Sequence, residues 1–131
     1  MGISIRGSSD SGARAASSST PADPVMASSL VDYAWLLESV RGDYDRAEEM
    51  YKRAIEADPA HANNLGNYAL LLENVRGDYD RAEEMYERAV EADPNHAYSL
   101  RKYAHFLQYV RHNYDRAEEM YRRFIEADHG Q

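Results

Sequence analysis

Apolar residues recur at three- and four-residue steps through Leu30, Tyr33, Ala34, Leu37 and Val40, the spacing that lines one face of an α-helix. Ser28 or Ser29 precedes the stripe and can accept a hydrogen bond from the first free amides. Gly42 stands where a helix ends in a left-handed residue. A second stripe follows at Ala47, Met50, Tyr51, Ala54 and Ile55. Asp45 with Glu48 three residues later reads as an acidic capping box in front of it. Glu48 to Lys52 and Glu49 to Arg53 are favourably ordered pairs worth about 0.2–0.5 kcal/mol each, too little to decide the fold. Asp58-Pro59 closes the helix, because a residue before proline is pushed out of the α region.

The whole pattern then returns. Val40–Tyr51 is repeated residue for residue at Val75–Tyr86 and with two changes at Val110–Tyr121, a period of 35 residues. The second copy runs through Leu65, Tyr68, Ala69, Leu72, Val75 and then Ala82, Met85, Tyr86, Ala89 and Val90, ending at Asp93-Pro94. The third runs through Leu100, Tyr103, Ala104, Leu107, Val110 and then Ala117, Met120, Tyr121 and Ile125. A period of this length marks a helical hairpin copied in tandem, each copy burying its apolar face against its neighbours. The third copy departs most. His112 replaces the turn glycine, at a cost of about 1 kcal/mol in a left-handed conformation, and Phe124 replaces Ala54 and Ala89.

One repeat domain is expected over residues 27–131, with hairpins at about 27–59, 60–94 and 95–128. Residues 1–26 form a Ser/Ala/Gly-rich stretch with little to bury and read as a disordered tail or leader. The chain has no cysteine, which removes disulfides, thiolate metal sites and a cysteine nucleophile. Its formal charge of −8 argues against a phosphate-binding surface and toward basic or neutral partners. No apolar run approaches the roughly 20 residues needed to span a bilayer. A cytoplasmic or other soluble intracellular setting is expected, with organelle targeting by residues 1–26 as the alternative.

The small residue early in the second helix (Ala47, Ala82, Ala117), the aromatic four on (Tyr51, Tyr86, Tyr121), a further small residue (Ala54, Ala89) and the closing Pro59 and Pro94 resemble the tetratricopeptide repeat. The likeness covers about residues 27–128. It departs in one extra residue per copy, Arg41, Arg76 or Arg111. It also carries a Tyr-Ala step at Tyr33, Tyr68 and Tyr103, which is similar to the half-a-tetratricopeptide relatives of RNA-processing scaffolds. The resemblance implies an all-α fold, a right-handed superhelical stack of three antiparallel helical hairpins. It further implies that the first helices line a concave groove for a peptide or partner helix, and the residues themselves offer no catalytic, metal or cofactor site, so a non-enzymatic module is expected.

The copies can be compared with one another. Their second helices are nearly identical, whereas the first helices differ at Ser28/Asn63/Tyr98, Val31/Gly66/Arg101, Asp32/Asn67/Lys102, Trp35/Leu70/His105 and Ser39/Asn74/Tyr109. These positions are expected opposite the buried stripe, on the face that resemblance assigns to the groove. Neutral drift on a solvated face is the competing explanation. Candidate ligand-binding residues are therefore Trp35, Asn67, Leu70, Tyr98, Arg101, Lys102, His105 and Tyr109. Trp35 and Leu70 would supply an apolar end, and Arg101, Lys102 and His105 a basic end for an acidic or C-terminal group. Of the carboxylate-binding set found in chaperone-binding members of the family only Asn67 and Lys102 match, so a complete carboxylate clamp is not expected.

The pairs Glu48-Glu49, Glu83-Glu84 and Glu118-Glu119 recur beside Arg and Lys and read as a solvated face rather than as acid/base catalysts. His61 and His96 fall at the turns between hairpins, and Arg41-Gly42-Asp43 with Arg76-Gly77-Asp78 fall at turns within them. Tyr121, Phe124 and Ile125 are expected to face where another unit would stack, which makes a homodimer a possible partner arrangement. Three functions compete: a peptide-binding adaptor, a self-associating structural module, and an RNA-processing scaffold acting through protein contacts.

Overall fold

The computed structural model describes residues 21–129, and among them there are six α-helices and no strand. Helix α1 (Pro24–Leu36) pairs with α2 (Tyr44–Ala57), α3 (Ala62–Leu71) with α4 (Tyr79–Ala92), and α5 (Ala97–Phe106) with α6 (Tyr114–His129). The most extensive packing lies within each hairpin. Between hairpins α2 meets α3 and α4 meets α5, while α1 also touches α3 and α3 touches α5. The result is a solenoid of three stacked antiparallel hairpins. The expected tail lies outside the described residues as far as position 20, and α1 begins at Pro24, inside the stretch assigned to that tail.

The extra residue of each copy has a structural address. Each first helix ends in one π-helical turn, Leu37–Arg41, Leu72–Arg76 and Leu107–Arg111. A π turn spaces its hydrogen bonds five residues apart and so absorbs one inserted residue without breaking the helix. Gly42 and Gly77 then take φ of 66° and His112 takes φ of 57°, as the turn predicts. The wider turn carries Val40 and Val75 off the expected apolar stripe, and both are exposed.

The caps differ from the expected ones. Asp23, not Ser28 or Ser29, caps α1, accepting from the Met26 amide at 3.0 Å. Asp43 caps α2 through the Arg46 amide at 3.2 Å, and Asp78 and Asn113 repeat this for α4 and α6. Asp45 is displaced from capping because the helix starts at Tyr44, with Asp43 as the only residue between it and the left-handed Gly42. It accepts instead from Arg76 of the next hairpin at 2.6 Å.

The seams hold the large buried side chains. Tyr51 stacks on Tyr68 with ring centroids 5.8 Å apart, and Tyr86 on Tyr103 at 5.5 Å. Leu71 and Phe106, missing from the expected stripes, are fully buried because they point at the preceding hairpin. Tyr33 was expected in the buried stripe, yet it is 38% exposed while its equivalents Tyr68 and Tyr103 are covered. It has no preceding hairpin among the described residues.

His112→Gly should stabilise the fold by about 0.5–1 kcal/mol, since glycine enters the left-handed region without steric cost. The His112 contact to the Tyr114 hydroxyl is exposed and offsets little. Urea midpoints measure the difference, and a destabilised variant would contradict this account of the turn.

Candidate functional site

Trp35, Leu70 and His105 occupy one position of three consecutive first helices that pack side by side, so they form a row rather than a scatter. Trp35 is 50% exposed, His105 is exposed and Leu70 is half-buried. Not all of the variable face is open. Val31 is buried, and Gly66 is enclosed because α5 approaches it: a Cβ there would stand 2.8 Å from Ser99 Oγ and 3.5 Å from the Tyr98 ring. The expectation that Val31 and its equivalents face solvent therefore fails wherever two first helices meet.

Tyr98 lies half-buried over Gly66, with the Lys102 ammonium 5.7 Å from its ring centroid. His105 and Tyr109 pair at 4.8 Å. Arg101 is exposed beside them, and Asn67 is half-buried with no side-chain hydrogen bond among the described residues. The fold thus gathers Tyr98, Lys102, His105 and Tyr109 on α5 and its π turn, with Trp35 and Leu70 along the same row.

Two carboxylates on this side escaped the comparison of copies because they do not vary between the first two. Glu38 accepts from the Tyr51 hydroxyl at 3.0 Å and Glu73 from Tyr86 at 2.8 Å, and Gln108 holds the same place, accepting from Tyr121 at 2.8 Å. Burial raises the Glu38 carboxyl above its ordinary range against the opposing pull of the Tyr51 hydrogen bond. Burial raises Glu73 likewise, opposed by Tyr86 and by the charges of His105 and Lys102. The signal available in sequence was a helical offset: Glu38 falls three residues after Trp35 and so shares its face.

The remaining candidates serve the scaffold. His61 and His96 cap α3 and α5 through Nδ1, at 3.2 Å from the Asn64 amide and 3.3 Å from the Ser99 amide. Burial lowers the His96 pKa, consistent with a neutral accepting ring. Asp43 and Asp78 of the Arg-Gly-Asp tripeptides are helix caps. At the far end a groove of about 380 Å³ is lined by Gln108, Tyr114, Ala117, Glu118, Tyr121 and Ile125, among others. Phe124 does not line it, packing instead against its own core. Among the described residues no helix is long and apolar enough to cross a membrane.

A model of the tetratricopeptide repeat matches residues 36–97 and 75–106, together more than half of the sequence. The chain belongs to the tetratricopeptide repeat family. Among solved structures, the second TPR of Spaghetti (RPAP3) bound to the HSP90 peptide SRMEEVD is similar, with a TM-score of 0.67 and 22% identity over 85% of this chain and 96% of that one. The first TPR of the same protein, bound to the same peptide, gives a TM-score of 0.70 and 20% identity over 84% and 85%. No curated protein is detectably similar in sequence. The TPR assignment accounts for the stacked hairpins, and the π turns mark where this chain's 35-residue unit takes up its additional residue.

Glu38→Gln tests the electrostatics of this row. A carboxyl whose folded pKa is raised binds its proton more tightly in the native state, so stability falls as pH rises from the ordinary carboxylate value through the raised one. Glutamine keeps the acceptor, as Gln108 already does, and abolishes that fall. Relative to wild type the variant should gain stability as pH rises from 4.5 to 7, measured by urea unfolding. A relative loss over that interval would contradict the burial assigned to Glu38.

Proposed function

We propose that this TPR module is a non-enzymatic binder of protein segments, seating a peptide or helix along the row formed by its first helices. The observation that carries the reading is the alignment of Trp35, Leu70 and His105 across three packed helices, with Tyr98, Arg101, Lys102 and Tyr109 beside the last. Aromatic and arginine side chains are frequent interface anchors. Second helices, whose sequence hardly changes, hold the scaffold, and the changing first helices set specificity.

Charge orders the segment. Glu38 and Glu73 make the first two hairpins of the row acidic, whereas Arg101, Lys102 and His105 make the third basic. An apolar side chain of the ligand therefore rests near Trp35 and Leu70, and its acidic group or C-terminal carboxylate near Arg101 and Lys102. The SRMEEVD peptide held by the two RPAP3 domains is acidic at its C-terminal end, which supports a segment of that class. This chain would hold such a segment without a complete carboxylate clamp, because Val31 is buried and Trp35 and Tyr98 stand where the family resemblance calls for polar residues.

An array of acidic peptides, both C-terminal and internal and including SRMEEVD, tests the reading. Hits confirmed by anisotropy of the labelled peptide should weaken at least about tenfold with Trp35→Ala and with Arg101→Glu. Hits whose affinity survives both substitutions would refute it.

A further inference from the structure

We propose that copies of this chain join head to tail, the front of α1 of one copy seating in the groove against α6 of the next, so that the internal seam is repeated between molecules. This interface uses the two ends of the solenoid and is independent of the peptide-binding row.

The chain contains the template for this contact twice. In the first seam Arg76 donates from Nη2 to Asp45 at 2.6 Å and from Nε to Glu48 at 3.0 Å. In the second Arg111 donates to Asp80 at 2.6 Å and to Glu83 at 2.8 Å. Beside each clamp an apolar residue enters a pocket of the preceding hairpin. Phe106 packs 5.3 Å from Tyr86 and 6.3 Å from Tyr79, and Leu71 is the equivalent in the first seam.

One period further on, both halves of the device are present without their counterparts among the described residues. On the front, Arg41 occupies the clamp position and has no carboxylate partner among the described residues, and Leu36 occupies the inserting position. Leu36 is 44% exposed, where Leu71 and Phe106 are fully buried. On the back, Asp115 and Glu118 stand where Asp45 and Glu48 do. Among the described residues Asp115 is unpaired, and Glu118 meets only Arg122 of its own helix at 3.3 Å. The groove of Tyr114, Ala117, Tyr121 and Ile125 repeats the pocket that receives Leu71 and Phe106. Ile125 is 54% exposed, where its equivalent Val90 is 3% exposed.

The fit is one of shape and sign together. Leu36 would enter the apolar groove, Tyr33 would stack on Tyr121 as Tyr68 does on Tyr51, and Arg41 would bridge Asp115 and Glu118. Arg122 stands at the position of Lys52, a residue the first seam already accommodates. Such a contact pairs two different surfaces and repeats the step of the solenoid itself, so a joined pair keeps one free front and one free back and extends beyond the dimer as concentration rises.

Sedimentation velocity of the full chain over a concentration series should show the average mass climbing past that of a dimer. Leu36→Asp blocks the front alone and Ile125→Asp the back alone. Each variant by itself should remain monomeric, and a mixture of the two should give a one-to-one heterodimer and nothing larger. Arg41→Ala, which leaves both apolar surfaces in place, should weaken wild-type association about tenfold. Three results would overturn the proposal: a wild type monomeric throughout, a dimer that persists in Leu36→Asp, or two well-folded blocked variants that do not combine.

Discussion

The seam between neighbouring hairpins, where an arginine of one reaches two acidic side chains of the other beside a pair of stacked tyrosines, is the contact on which the rest of this structure depends. A single hairpin buries one face of each helix and leaves the other wet. Stacking covers the second face. Tyr68 shows the economy of the arrangement: its ring lies on Tyr51, its hydroxyl donates to Glu48 at 2.7 Å, and it accepts from Arg81 at 2.7 Å. The hydroxyl is pushed up to about 12 by burial and by the neighbouring Glu48 carboxylate. Burial would raise Glu48 as well, but the hydrogen bonds from Tyr68 and Arg76 and the nearby positive charges outweigh it and hold the carboxyl below its ordinary range.

Magnitudes separate the two acids that Arg76 touches. The bond to Asp45 is the shorter, yet Asp45 is 91% exposed and water competes for it. Glu48 is 14% exposed and bonded to Tyr68 as well, so breaking its pair leaves a poorly solvated carboxylate behind. An exposed ion pair is worth about 0–1 kcal/mol, and leaving a buried partner unsatisfied costs more. The inserted arginine Arg76, carried on its π turn, thus acts chiefly through Glu48; in the second seam Glu83 is 33% exposed and Tyr103 donates to Glu87 instead, so the preference of Arg111 for Glu83 over Asp80 is weaker. The periodicity of this contact fixes three first helices side by side, and the proposed binding row lies along positions that differ between them.

Much of this was readable in the chain. The 35-residue period gave the hairpins, the left-handed turn residues and the family, because a motif repeated three times confines the alternatives to one architecture. What failed to show were features that depend on a neighbour. Leu71 and Phe106 sit off the amphipathic stripe of their own helices and are buried only by the preceding hairpin. Val31 looked free to vary toward solvent and is covered where helices converge. Asp45 resembled a cap by spacing, yet the π turn lets the following helix start at Tyr44, and the aspartate is left for Arg76. Glu38 and Glu73 were hidden by being alike, since a comparison of copies reports only what changes. Trp35, Leu70 and His105 hold equivalent places on three neighbouring first helices, and what such a row would bind is a property of chemistry outside the chain.

The most direct measurement is a double-mutant cycle on Arg76→Ala and Glu48→Gln, read by urea unfolding at neutral pH and low salt, with Arg76→Ala and Asp45→Asn as the companion cycle. If the seam is held as described, the Arg76–Glu48 coupling is about 1–2 kcal/mol and the Arg76–Asp45 coupling is below about 0.5 kcal/mol. Equal couplings, or none for Glu48, would contradict the claim that this half-buried contact joins the hairpins.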